Sequence, residues 1–300
     1  MDRRAFLKSS LVGAGVIAGI SKVKLDALAQ DAPRKEAVLK LCSQDGRIAG
    51  GSVKEKAETI LKYGGCGLEF GGMDVRRAEQ IKKELEGTGV GPAALCWGSH
   101  GGDLVSTDVE KRKKGIQAIK NVLEAAGALG STGVVFVPCF NGQSNLKPEE
   151  LDKILLEILP EIGDYARQVK SRVLLEPLNK GETFYLRRLE QAAAICNKLD
   201  NPGICMMGDF YHMAKEEKSD EEAFVTGGKW VHHVHLATGK SRILPGQEEH
   251  SYVAGFKGLK RIGYQDYCSL ECGLKRGTKW EEEIPKAFAF LKQQWEEARI

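Results

Sequence analysis

The chain is 300 residues long and lacks several features that would fix a class at once. It has no C-x-x-C pair, which removes the redox and zinc-ribbon patterns built on that spacing. No G-x-G-x-x-G follows the first apolar strand, so the commonest dinucleotide-binding form is excluded. No apolar run after the N-terminal segment is long enough to span a bilayer. Charge of one sign is also missing. Residues 1–30 hold five basic and two acidic residues, so the 44 basic and 41 acidic residues of the whole chain become 39 of each without them. A neutral body does not track nucleic-acid phosphates.

The eight cysteines do not form a disulfide framework by spacing. Cys42, Cys96, Cys139, Cys205, Cys268 and Cys272 lie in or beside apolar runs, and mostly free, buried thiols are expected. At the N-terminus, Asp2-Arg3-Arg4-Ala5-Phe6-Leu7-Lys8 precedes apolar Leu11–Ile20 and an Ala27-Leu28-Ala29 cleavage pattern. This resembles a twin-arginine export signal over residues 1–29 and implies a periplasmic protein with no membrane contact after cleavage.

Beyond it, strands are expected at 37–43, 66–70, 90–97, 133–138, 172–176, 204–209, 231–237 and 267–272. Helices are expected at 53–63, 75–86, 107–129, 148–169, 186–199, 219–226, 253–262 and 280–298, with a kink or break at Pro160. A loop is expected between residue 209 and the helix near 219. Strict alternation of buried strands with amphipathic helices means an α/β chain of parallel strands with right-handed crossovers. Eight such units across residues 30–300 make one (β/α)8 TIM barrel, with a doubly wound open sheet as the alternative.

In such a barrel the C-terminal strand ends share one mouth. Gln44 follows strand one, Glu69 lies on strand two, Trp97 and His100 come at strand three, and Asn141 follows strand four. Glu176, Asp209, His235 and Glu271 end the next four. Each has a plain alternative: a salt bridge for Glu176, a helix cap for Asp209, a core position for His235, a pair with Arg242 for Glu271. On four successive strand ends these alternatives require four coincidences. Oxygen donors with one imidazole suit Mn²⁺, Mg²⁺, Co²⁺ or Zn²⁺. By alternation, His233 and His235 point one way and His232 the other. Glu69 either lines the pocket or braces the barrel, and Trp97 and His100 are candidates for sugar contact.

Leu175-Glu176-Pro177-Leu178-Asn179 with Glu182, Asp209-Phe210-Tyr211-His212-Met213, His233-Val234-His235-Leu236 and Ser269-Leu270-Glu271 resemble the xylose-isomerase-like TIM-barrel superfamily. The resemblance covers residues 37–298 and is nearest to the tagatose and psicose 3-epimerases, with hydroxypyruvate isomerases nearby. It implies one divalent ion on Glu176, Asp209, His235 and Glu271, with Glu176 and Glu271 also forming the acid–base pair. Glu182, His212 and Arg242 would contact substrate, although Ala237-Thr238-Gly239-Lys240 replaces the family's usual Gly-Glu after strand seven.

The implied reaction is isomerisation or epimerisation of a sugar or keto-sugar through a metal-bound enediolate. Expulsion of a leaving group from a 3-keto-glycoside is the alternative, and a dimer or tetramer is the implied assembly. The superfamily's three-zinc endonuclease branch needs a D-x-H after strand seven, and residues 236–262 offer only His250. A non-catalytic sugar-binding protein would have no need of both Glu176 and Glu271.

Overall fold

A computed structural model describes residues 35–300, and residues 36–300 form one compact unit. The export-signal segment lies outside the described residues. Eight strands pair in sequence order, all parallel, and close on themselves through β1 and β8. They are β1 Lys40–Gln44, β2 Gly67–Gly71, β3 Gly91–Gly98, β4 Val134–Phe136, β5 Val173–Leu175, β6 Ile204–Asp209, β7 Val231–Leu236 and β8 Tyr267–Leu270. The open-sheet alternative is therefore excluded. Closure leaves no edge strand, and strands covered on both faces account for fully buried runs such as Val134–Phe136 and Val173–Leu175.

Around the barrel lie α1 Val53–Lys62, α2 Val75–Leu85, α3 Val109–Leu129, α4 Pro148–Gln168, α5 Leu189–Leu199, α6 Phe210–Glu216, α7 Asp220–Gly227, α8 Val253–Arg261 and α9 Trp280–Glu297. Their ends follow local chemistry. Ser52 and Glu55 form a capping box on α1, Asp74 and Asp108 cap α2 and α3, and Gly130 ends α3 in a left-handed conformation. The Pro160 expectation is corrected in part: α4 is not broken there. The residue is exposed, so its ring faces solvent. All eight cysteines are free, with Cys66 and Cys96 half-buried.

The expected loop after residue 209 is also corrected, because α6 begins directly on β6. The Asp209 side chain accepts a hydrogen bond from Tyr211 N–H at 2.8 Å and starts the helix. No helix among the described residues is long and apolar enough to cross a membrane.

Two close backbone approaches set how tightly the helices sit. A Cβ at Gly127 on α3 would lie 1.8 Å from the Val169 carbonyl oxygen, and one at Gly203 2.0 Å from that of Gly163. Neither neighbour is a flexible side-chain end. Gly127→Ala is expected to destabilise the barrel by roughly 2–3 kcal/mol despite alanine's better helix propensity. A thermal melt that gives the variant wild-type stability would contradict this packing.

Candidate metal centre

Four consecutive strands deliver the expected donors to one point at the barrel mouth. Asp209 and His235 lie on β6 and β7, while Glu176 and Glu271 follow β5 and β8 directly. The ladder carries on past β5, since Glu176 N–H donates to the Phe136 carbonyl at 3.0 Å. One donor atom from each of the four lies within 4.8 Å of all the others. Asp209 and His235 are sealed, Glu176 is nearly so, and the Glu271 side chain keeps 19% exposure. The His235 Nδ1 is 2.8 Å from Glu271 Oε2 and 3.5 Å from Glu176 Oε1.

Despite this crowding, Glu176 Oε1 and His235 Nδ1 are buried without a hydrogen-bond partner. Leaving such atoms unpaired is costly, and three converging carboxylates add repulsion. A divalent cation would offset both, and the oxygen-rich donor set with one imidazole fits Mn²⁺, Mg²⁺, Co²⁺ or Zn²⁺. Two of the four plain alternatives hold as well: Asp209 caps α6, and Glu271 Oε2 pairs with Arg242 Nη2 at 2.7 Å, which also reaches Asp209 Oδ2 at 3.0 Å.

The two glutamates differ in charge environment. Burial, with repulsion from Glu271 and Asp209, pushes the Glu176 carboxyl up to about 7 against the pull of His235. Burial works the same way on Glu271, but His235 and Arg242 override it and hold that carboxyl at about 2. Burial likewise raises Asp209 against the pull of Arg242. Burial works to lower His235, yet Glu271 and Glu69 lift it well above the usual imidazole range. The pocket thus sets a readily protonated carboxyl opposite a persistent carboxylate.

Beneath the donors lies a second layer. Glu69 is fully buried, and its Oε2 is 2.7 Å from His233 Nε2 and 3.1 Å from His235 Nε2. That contact directs the His235 Nε2 proton to Glu69 and turns Nδ1 to the centre, where an arriving cation would displace the proton shared with Glu271. Gln44 Nε2 donates to Glu69 Oε1 at 2.9 Å and Glu271 Oε1 at 3.1 Å. Arg47 donates to the Gln44 side-chain oxygen and thereby orients the amide. Glu69 therefore braces the imidazoles from below. His232 points outward to Asp266, as strand alternation predicts. Glu69→Leu is expected to weaken metal binding about 10–100-fold and to cost about 3–5 kcal/mol, because two buried histidines lose their partner. Metal titration and a melt of the same sample check both parts.

Glu182, His212 and Arg242 come together on the β5–β7 side of the mouth. Arg242 Nη1 is 3.5 Å from Glu182 Oε1, and its guanidinium lies 4.8 Å above the Tyr211 ring. His212 Nδ1 accepts from Asn179 N–H at 3.1 Å, which leaves Nε2 as the protonated atom, buried, unbonded and 3.4 Å from Asp209 Oδ2. Burial, helped by Arg242, lowers this imidazole to about 3 and keeps it neutral. Trp97 and His100 stack on each other at 5.3 Å, and His100 pairs with Asp103. Sequence reasoning did not assign the roles of His233, Gln44, Arg47, Asn179 and Tyr211. For His233 a signal existed, since strand alternation puts it on the same face as His235. A larger hollow beside Gly246–Ser251 touches none of the four donors.

Residues 60–294 match the family described as xylose isomerase-like TIM barrel. Among curated proteins, the chain is 29% identical to 3-dehydro-D-guloside 4-epimerase of Escherichia coli K12, over 78% of this chain and 92% of that protein. It is 23% identical to inosose isomerase of Bacillus velezensis, over 78% and 88% respectively. Among solved structures, apo 3-keto-D-glucoside 4-epimerase from E. coli superposes with a TM-score of 0.77 and 25% identity, covering 85% of this chain and 100% of that one. The IolI protein, solved with a binding zinc atom, superposes with a TM-score of 0.71 and 20% identity, covering 87% of this chain and 99% of that one.

Proposed function

The chain belongs to the xylose isomerase-like TIM barrel family, and from that premise we propose that it is a divalent-metal-dependent epimerase or isomerase of keto-sugars, with 3-keto-glycosides as its substrate class. The observation that carries the reading is the pair Glu176 and Glu271, facing one another across His235 with unspent donor atoms between them. The substrate class is supported by the E. coli 4-epimerase, named for a 3-dehydro-guloside among the curated relatives and for a 3-keto-glucoside among the solved structures.

Glu176, Asp209, His235 and Glu271 would hold the ion. When bound, it would draw off charge from the substrate's ketone oxygen and a neighbouring hydroxyl as the adjacent carbon loses its proton. Glu271, held as a carboxylate, accepts that proton while the C–H electron pair moves into the carbonyl. Glu176, the other member of the pair, returns a proton to the opposite face. The carbon is inverted and the ketone restored. His212 offers its Nε2–H, and Arg242 its guanidinium, to substrate oxygens, while Tyr211 supports the guanidinium from below. Given the twin-arginine start, we place this reaction in the periplasm.

The test is product identification. Protein reconstituted with Mn²⁺ and incubated with a 3-keto-glucoside is expected to yield the epimer at a carbon flanking the ketone. An unsaturated product with loss of the aglycone would mark elimination instead. No conversion of any 3-keto-glycoside or ketose would overturn the proposal.

A further inference from the structure

Glu271 stands between two unlike sides of the mouth. Its Oε2 faces Arg242 at 2.7 Å, on the crowded side that also holds Glu182 and His212. Its Oε1 faces the ends of β1–β3, with Gln44 Nε2 at 3.1 Å and Cys96 Sγ at 3.8 Å. There the wall recedes into a hollow of about 310 Å³ bounded by Gln44, Asp45, Arg47, Glu69, Phe70 and Gly71, with Cys96 against Glu271. A substrate whose reacting carbon sits at Glu271 is closed in on one side and has room to extend on the other.

From this geometry we infer that the β1–β3 hollow is a subsite for the aglycone of a 3-keto-glycoside, and that the aglycone it takes is a second hexose. The inference rests on the keto-glycoside reading above. The volume is at the small end of ligand pockets, enough for one further sugar ring and too small for a longer chain. The lining is polar on most sides: the Gln44 amide, the Asp45 carboxylate and the Arg47 guanidinium meet only one aromatic ring, Phe70.

These groups are already fixed in place. Lys56 Nζ holds Asp45 at 2.7 Å, and Arg47 Nε donates to the Cys272 carbonyl at 2.7 Å while its guanidinium lies 5.6 Å above the Trp280 ring. Groups held before binding lose little freedom when a sugar hydroxyl arrives. Two exposed glycines border the hollow: a Cβ at Gly46 or Gly71 would meet nothing within 4 Å. Neither has positive φ, so a side chain at either position fills space without straining the backbone.

The test compares kcat/KM of the metal-loaded full chain on 3-keto-glucose, a phenyl 3-keto-glucoside and a 3-keto-disaccharide. Wild type is expected to favour the disaccharide over both others by about tenfold or more. Gly71→Phe and Gly46→Phe, which add a ring at two residues bordering the hollow, are expected to bring the disaccharide-to-monosaccharide ratio to near one. Equal wild-type values for the three substrates would overturn the inference, and so would a ratio that survives both substitutions. A preference for the phenyl glucoside would overturn the choice of aglycone. No turnover of any of the three would sink the keto-glycoside reading itself, which separates the two failures.

Discussion

Glu271→Gln is expected to abolish turnover, by about 10³-fold or more, and to leave the barrel folded. The amide keeps the size of the carboxyl, and its oxygen can still accept from Gln44 Nε2, which the native side chain does at 3.1 Å. What it loses is the ability to take a proton from carbon, together with one charge facing His235 and Arg242. The loss should fall on kcat once metal content is matched to wild type, because Glu182 and His212 still seat the substrate, although Arg242 loses its 2.7 Å partner. Steady-state kinetics beside a thermal melt separates chemistry from folding. Activity above a tenth of wild type would remove Glu271 from the acid–base pair. A collapsed melting transition would mean that its role is structural.

Stripping the metal has an effect of similar size. Prolonged chelation is expected to remove all measurable epimerisation, and Mn²⁺ or Co²⁺ to restore it. The same treatment should lower the melting temperature, because an ion that binds only the folded state stabilises it by about 2.7 kcal/mol at a hundredfold excess over its Kd. Affinity should also fall as pH drops below 7. Burial and the neighbouring acids raise the Glu176 carboxyl to about 7, so below that pH a proton occupies the oxygen the ion requires. Calorimetric titration at two pH values reads the sign directly. Affinity that rises on acidification would contradict the donor assignment.

The four donors were legible in the sequence for a physical reason. Each is a polar residue at the end of an apolar run, and barrel closure brings successive strand ends to one place, so order along the chain becomes proximity in space. The alternation in Val231–Leu236 even gave the orientation of three histidines. The layer beneath was harder to read. Glu69 sits in the middle of β2, yet its partners His233 and His235 lie on β7, across the barrel, and no local pattern links them. Gln44 and Arg47 act through side-chain contacts that span the closure between β1 and β8. The helix α6 was hidden by a different cause. It is seven residues long, and its cap, Asp209, is also one of the four candidate donors, so one residue carried two signals.

The account depends on a proton leaving a carbon next to a ketone at this centre. Washout of that proton in D₂O, followed by ¹H NMR on metal-loaded protein with a 3-keto-glucoside, tests it whichever product forms. The expected result is loss of a signal at a carbon flanking the ketone, dependent on the metal and absent in Glu271→Gln. A fully metal-loaded protein that exchanges no carbon-bound proton in any 3-keto-glycoside or ketose would contradict it.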